Sequence, residues 1–348
     1  MHRALVALLI ITSLRGVALA GPVASESDSH DRDGAIESPW IDQSPALVLD
    51  RSNDEAKPTD HRLATGLALA SVYAGFSAWA YVAWYRDHPE KDMHDFGRDG
   101  WFGVKTYAGG ADKLGHAWAT MVLARSGTAL LRHGGWDRTK SALVSALLSE
   151  GLFFAVEVKD YYYYEFSPGD FAFNTLGALT AIALDLSPRL DELVDFRVQY
   201  LPSRQYRTNL LDSDSPCVKR EPGQPSCSRW NIAEDYSGET YLLALHLRGI
   251  HSLRDSKYGL WSQFVDLSIG FRSRNYKPPP SLDPDVERTQ TLFLGVSFNA
   301  QGLIDHLGAP KSRLRKVLHG ITEVVTPPLT VPMIGVERGT DSVSSGGA

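Results

Sequence analysis

The sequence predicts an α+β protein in which a bundle of about four hydrophobic helices precedes a small antiparallel β-sheet region. Two observations carry this. Long apolar segments of helical length recur between residues 61 and 187, separated by short polar or Gly-rich breaks. After Pro188 the apolar spacing changes from a period of about 3.6 to a period of about 2. The implied organisation is an export signal over 1–20, a polar leader over 21–60, the helical bundle over 61–200, a β-rich region over 201–335 and a disordered tail over 336–348.

The start of the chain has the order of a secretory signal: basic His2 and Arg3, an apolar run from Ala4 to Leu14, then small residues in Ala18-Leu19-Ala20. The expectation is a cleaved leader and a mature chain in the periplasm. No cysteine follows this run, so an N-terminal lipid is not expected. Residues 21–60 are rich in Ser, Asp and Pro and poor in large apolar side chains, as in a flexible leader.

The first helix is expected over Leu63–Tyr85, which carries no charge and ends in Trp79, Trp84 and Tyr85. It is long enough to cross a bilayer, and its terminal aromatics suit an interfacial belt. Helices follow over Ala111–Leu131, Lys140–Val158 and Phe171–Leu186. Ser167-Pro168-Gly169-Asp170 starts the last with a capping residue, a proline at N1 and an acid three residues on. Two aromatic-rich loops are expected, around Trp101-Phe102 and over Tyr161–Phe166. The charged residues His116, Arg125, Glu150 and Glu157 inside these helices temper the membrane reading. The expectation is a membrane-associated bundle with envelope lipid as partner, inner or outer membrane left open.

Three strands are expected, over Tyr241–Arg248, Val265–Arg272 and Leu292–Asn299, each apolar at alternate positions. They fit a sheet packed by its apolar face on a helix or a second sheet. The alternative is a set of outer-membrane hairpins, whose strands alternate in the same way. Cys217 and Cys227 bracket a Pro/Gly-rich loop, which in an exported chain suits one disulfide. The net charge is −6 with both signs interspersed. No basic stripe marks a nucleic-acid partner, and no protein partner is indicated.

The polar residues on these apolar helices are the informative ones. Asp112 and His116 are four apart, Glu157 and Asp160 three apart, Asp170 and Asn174 four apart, each pair on one helix face. In an up-and-down bundle the start of the second helix, the end of the third and the start of the fourth share one end. The three pairs then converge beside Lys113. Ionisable groups among apolar helices are costly unless paired or functional. Asp112, Lys113, His116, Glu157, Asp160, Asp170 and Asn174 are therefore the candidate catalytic residues, with His116 as general base. Asp112, His116, Glu157 and Asp170 are also candidate ligands for a divalent metal. The competing reading is a set of caps and interhelical hydrogen bonds, with Asp170 explained by capping alone.

At these residues the chain resembles the YfiM-like predicted periplasmic lipoproteins, from about Trp84 to Tyr206. The resemblance rests on Tyr107-Ala108-Gly109-Gly110-Ala111-Asp112-Lys113-Leu114-Gly115-His116, on Glu157-Val158-Lys159-Asp160, and on Ser167-Pro168-Gly169-Asp170 with Asn174 and Gly177. The chain departs in lacking a lipobox cysteine, so lipid anchoring is not carried over. A second, weaker similarity is to VanZ-like membrane proteins, through Asp112, Lys113, His116, Glu157, Asp170, Asn174 and Gly177. It implies a shared helical scaffold and a shared site. Neither family implies a reaction. The sequence lacks G-x-S-x-G, H-E-x-x-H and a phosphate loop. Three functions thus stand: a membrane protein that binds or processes a lipid or cell-wall component, a non-catalytic envelope scaffold, and an outer-membrane protein whose strands pair in lipid.

Overall fold

The computed structural model describes residues 60–86, 90, 96–211, 232–276, 287–307 and 313–339. The export signal, most of the leader, the Cys217–Cys227 loop and the tail from residue 340 lie outside the described residues.

Four helices build the first half: α1 (Arg62–Ala80, continued by a π-turn over Tyr81–Tyr85), α2 (Ala111–His133), α3 (Arg138–Tyr163) and α4 (Pro168–Leu186). α3 starts where Asp137 accepts a hydrogen bond from the Lys140 N–H. α4 starts where Ser167 accepts one from Asp170, with Pro168 at N1. α2 packs on both α3 and α4, and small residues bring them close. A Cβ at Gly177 would overlap the Ala117 carbonyl, and one at Gly127 would sit 2.8 Å from Ser145 Oγ.

The second half contains β1 (Val194–Tyr200), α5 (Arg204–Leu211), β2 (Glu239–His246), β3 (Val265–Arg274), β4 (Thr289–Phe298), α6 (Ala300–Leu307), α7 (Arg313–Val324) and β5 (Met333–Gly339). The five strands form one antiparallel meander in chain order. Phe196, Val198, Tyr241 and Phe271 pack against Leu114 and Trp118 of α2, joining the sheet to the bundle.

Three local expectations are corrected. Tyr161–Tyr163 are helical, because rings from α3 pack back on the π-turn, with Tyr85 and Tyr163 centroids 5.2 Å apart. β1 falls inside the range assigned to the bundle. β5 runs past residue 335 into the range assigned to the tail. Both are outer strands with weak alternation, and pairing with β2 and β4 forms them.

The apolar face of the sheet is packed only in part: its Phe196, Val198, Tyr241 and Phe271 meet α2 as expected, and the rest of that face is open. The alternating apolar residues Leu243, Leu245, Leu267, Ile269, Leu292, Leu294, Val296 and Phe298 are all exposed, while His246, Asp266, Ser268, Ser297 and Asn299 between them are buried. The helices repeat the pattern. On α3, Ser141, Ser145 and Ser149 are fully buried, and Leu143, Leu147 and Phe154 are exposed. On α4, Asn174 and Gly177 face inward while Leu176 and Leu179 face out.

Candidate functional site

The site forms where α2 and α4 begin and α3 ends. A turn over Tyr107–Gly110 leads into α2, with Ala108, Gly109 and Gly110 all in the left-handed region. Gly110 is required there on two grounds: its φ is 82°, and a Cβ would overlap Phe102 and the Trp101 carbonyl. This places Asp112 and Lys113 in the first turn of α2, with His116 one turn on.

Lys113 is fully buried and gathers three carboxylates. Its ammonium lies 3.0 Å from Asp112 and 2.9 Å from Asp170, and it bonds Asp99. Ser167 Oγ is 3.3 Å from Lys113 Nζ, donates to Asp99 at 2.7 Å, and accepts the Asp170 N–H at 3.0 Å. The Asp170 carboxylate is therefore no cap: Ser167 caps the helix, and Asp170 turns toward Lys113 and His116.

His116 and Asp170 are the partly exposed members, at 21% and 13%, and form the mouth of the cluster. His116 Nδ1 is 3.1 Å from Asn174 Oδ1, which also accepts from Thr120 at 3.0 Å. The carbonyl-type partner assigns the proton to Nδ1 and leaves the Nε2 lone pair free. Glu157 Oε1 lies 3.7 Å from His116 Nδ1, and Asp170 Oδ2 lies 3.8 Å from Nε2. Glu157 Oε2 accepts the Ser167 N–H at 3.4 Å. Asp112 Oδ1, Glu157 Oε1 and Asn174 Nδ2 are buried and find no hydrogen-bond partner among the described residues.

Six of the seven candidate residues thus meet, and Asp160 is the exception. It accepts from Tyr85 Oη at 2.7 Å and ties the end of α3 to the π-turn. The residues that spacing does not reveal are Asp99 and Ser167, the first because it reaches Lys113 from a loop. Trp101 and Phe102 of that loop are exposed at the same end, and Phe102 packs on Phe173 and Phe271. Chemically, the arrangement offers a free imidazole nitrogen and a carboxylate at an opening, backed by buried carboxyls and one resident ammonium. That suits proton transfer or cation binding.

Two further buried networks were not legible in the sequence. Arg125 of α2 bonds Asp185, Asp191 and Glu323 at 3.2, 2.6 and 2.8 Å, joining α2, α4 and α7. Within the sheet Arg197 bonds Asp195 at 2.6 Å and Asp266 at 2.9 Å, and His246 contacts the same two acids at 2.9 and 2.8 Å. Burial by itself would raise the Asp195 carboxyl, but Arg197 and His246 hold it below the usual carboxylate range. Burial would lower the His246 imidazole, but Asp195 and Asp266 raise it above its ordinary value. Asn299 and Gln301 donate to Asp266 and Asp195, completing a satisfied network.

A family model described as "Predicted periplasmic lipoprotein (DUF2279)" matches residues 98–185. The match takes in the Asp99 loop, α2, α3 and nearly all of α4, and with them every member of the cluster. It includes neither α1 nor the sheet. No curated protein matches the chain, and no solved structure does.

Proposed function

We propose that the chain is an exported, bilayer-embedded envelope protein whose α1–α4 bundle crosses the membrane and whose polar cluster binds or processes a lipid or cell-wall component. The carrying observation is a broad apolar surface over an interior that mixes apolar clusters with many buried polar and charged side chains. Large apolar side chains such as Leu147, Leu176, Leu179 and Leu294 are exposed, and Ser, Asn, Asp, Lys and Arg are inside. In water that distribution opposes folding. In hydrocarbon the outward leucines meet no penalty, and interior small and polar residues hold the helices together. α1 through Tyr85 has 24 residues and α3 has 26, and both are apolar enough to cross by length and composition. The five-stranded sheet is an open meander with β1 and β5 outermost, and a sheet that does not close does not cross alone; its apolar face rests against lipid. A site at helix ends lies near headgroup depth, where a polar substrate can reach it. The periplasmic description of the matched family supports the exported part of this reading.

The test expresses the full chain and washes isolated membranes in alkaline carbonate. Retention in the pellet and a need for detergent are expected. Release as a monodisperse soluble protein overturns the proposal. Lipids extracted from the detergent-purified protein identify the bound class, and Glu157→Gln is expected to deplete it.

One observation favours the second reading, a scaffold. Lys113, Asp99, Asp170 and Ser167 already bond one another and clamp the loop, α2 and α4. Under that reading Glu157→Gln retains full cellular function wherever the bundle stays folded.

A further inference from the structure

We infer that His116, Glu157 and Asp170 form the protein part of a site for one divalent transition-metal ion. One imidazole nitrogen, one Glu157 oxygen and one Asp170 oxygen lie within 4.8 Å of one another. Their mutual contacts, 3.7 and 3.8 Å from His116, are too long for hydrogen bonds. With the ring proton committed to Asn174, the Nε2 lone pair faces a carboxylate oxygen of Asp170 across 3.8 Å. Two lone-pair atoms placed this way repel unless a cation lies between them. An ion about 2.0–2.2 Å from each spans that gap.

An independent observation points the same way. Glu157 is 1% exposed, its Oε1 lies 3.7 Å from His116 Nδ1, and that oxygen has no hydrogen-bond partner among the described residues. Lys113 is already shared by Asp99, Asp112 and Asp170, and no Lys or Arg ion pair reaches Glu157 among the described residues. Asn174 and Thr120 supply the outer hydrogen bonds that orient a ligating imidazole. One imidazole with two carboxylates suits Zn2+ or Mn2+ better than Mg2+, which favours an all-oxygen set with retained waters. The exposed edges of His116 and Asp170 leave coordination positions open to an exchangeable ligand.

This inference rests on the cluster being a site and does not depend on the bilayer. The full chain, purified in detergent micelles and stripped with a chelator, is dialysed against Zn2+, Mn2+ or Mg2+ alone, and bound metal is measured by elemental analysis. About one Zn2+ or Mn2+ per chain is expected, with Mg2+ bound weakly. Glu157→Gln and Asp170→Asn are expected to weaken binding by about tenfold or more, and His116→Ala to abolish it. Glu150→Gln, on α3 but bonded to Thr175, binds as the wild type does. Helicity by circular dichroism certifies each variant as folded. Folded wild type that takes up neither Zn2+ nor Mn2+ overturns the inference, as does uptake that His116→Ala and Glu157→Gln leave unchanged. Metal-free wild type that keeps its co-purified lipid while Glu157→Gln loses it removes the metal and leaves the polar site standing.

Discussion

Lys113 shows what a single residue contributes. Its ammonium is fully buried with three carboxylates around it, so removing it strands those charges together. Lys113→Met is expected to destabilise the protein by about 3–5 kcal/mol, as for other broken buried pairs, read as a fall in melting temperature in detergent. The residues that meet it on α2 and α4 were legible in the sequence, because a spacing of four puts Asp112 with His116 and Asp170 with Asn174 on single helix faces. Asp99 was not legible, since a loop residue has no periodicity to place it. Asp160 shares its helix face with Glu157, yet Tyr85 takes it elsewhere. Periodicity names a face of a helix but not the neighbour that occupies it.

At the scale of the element, α3 carries two stripes with opposite demands. Ser145 is buried beside Gly127, and Leu147 is 72% exposed. Ser145→Leu forces extra carbons into a contact with no space and is expected to cost about 1–3 kcal/mol. Leu147→Ser changes a side chain that is mostly exposed and is expected to change stability in micelles by no more than about 0.5 kcal/mol. Melting temperatures of the two variants in the same detergent check the pair. A larger loss from Leu147→Ser would mean that the leucine stripe is packed against protein. The same ambiguity limited the strand reading. Alternation in Val265–Arg272 and Leu292–Asn299 is clear in the sequence, yet alternation does not say which set of side chains is interior.

At the scale of the molecule, the interior of the sheet is ionic, and its stability should follow pH. His246 has its pKa raised in the folded state, so its contribution is complete below the unfolded value of about 6.5 and is lost as pH rises through the folded value. Asp195 has its pKa lowered, so its contribution is complete above about 3.9 and is lost as pH falls through the folded value. The network is expected to be most stable between those limits, with melting temperature declining on the alkaline side. His246→Gln should flatten the alkaline decline. A wild-type profile that stays level from acid to alkaline pH would show that His246 does not carry the charge assigned to it.

The sequence by itself determined four apolar helices and then the three alternating strands β2, β3 and β4, with polar pairs at helix ends that must share one end of an up-and-down bundle. Those features depend on local periodicity, which a sequence carries directly. Tertiary structure alone decided what each face meets. It turned many leucines outward and the serines inward, brought Asp99 onto Lys113, and enclosed Arg197 and His246 with Asp195 of β1 and Asp266 of β3. The physical reason is that burial and charge pairing arise between segments far apart in the chain. The hydrophobic period is the same whether water or lipid lies outside, so only the assembled molecule assigns the interior.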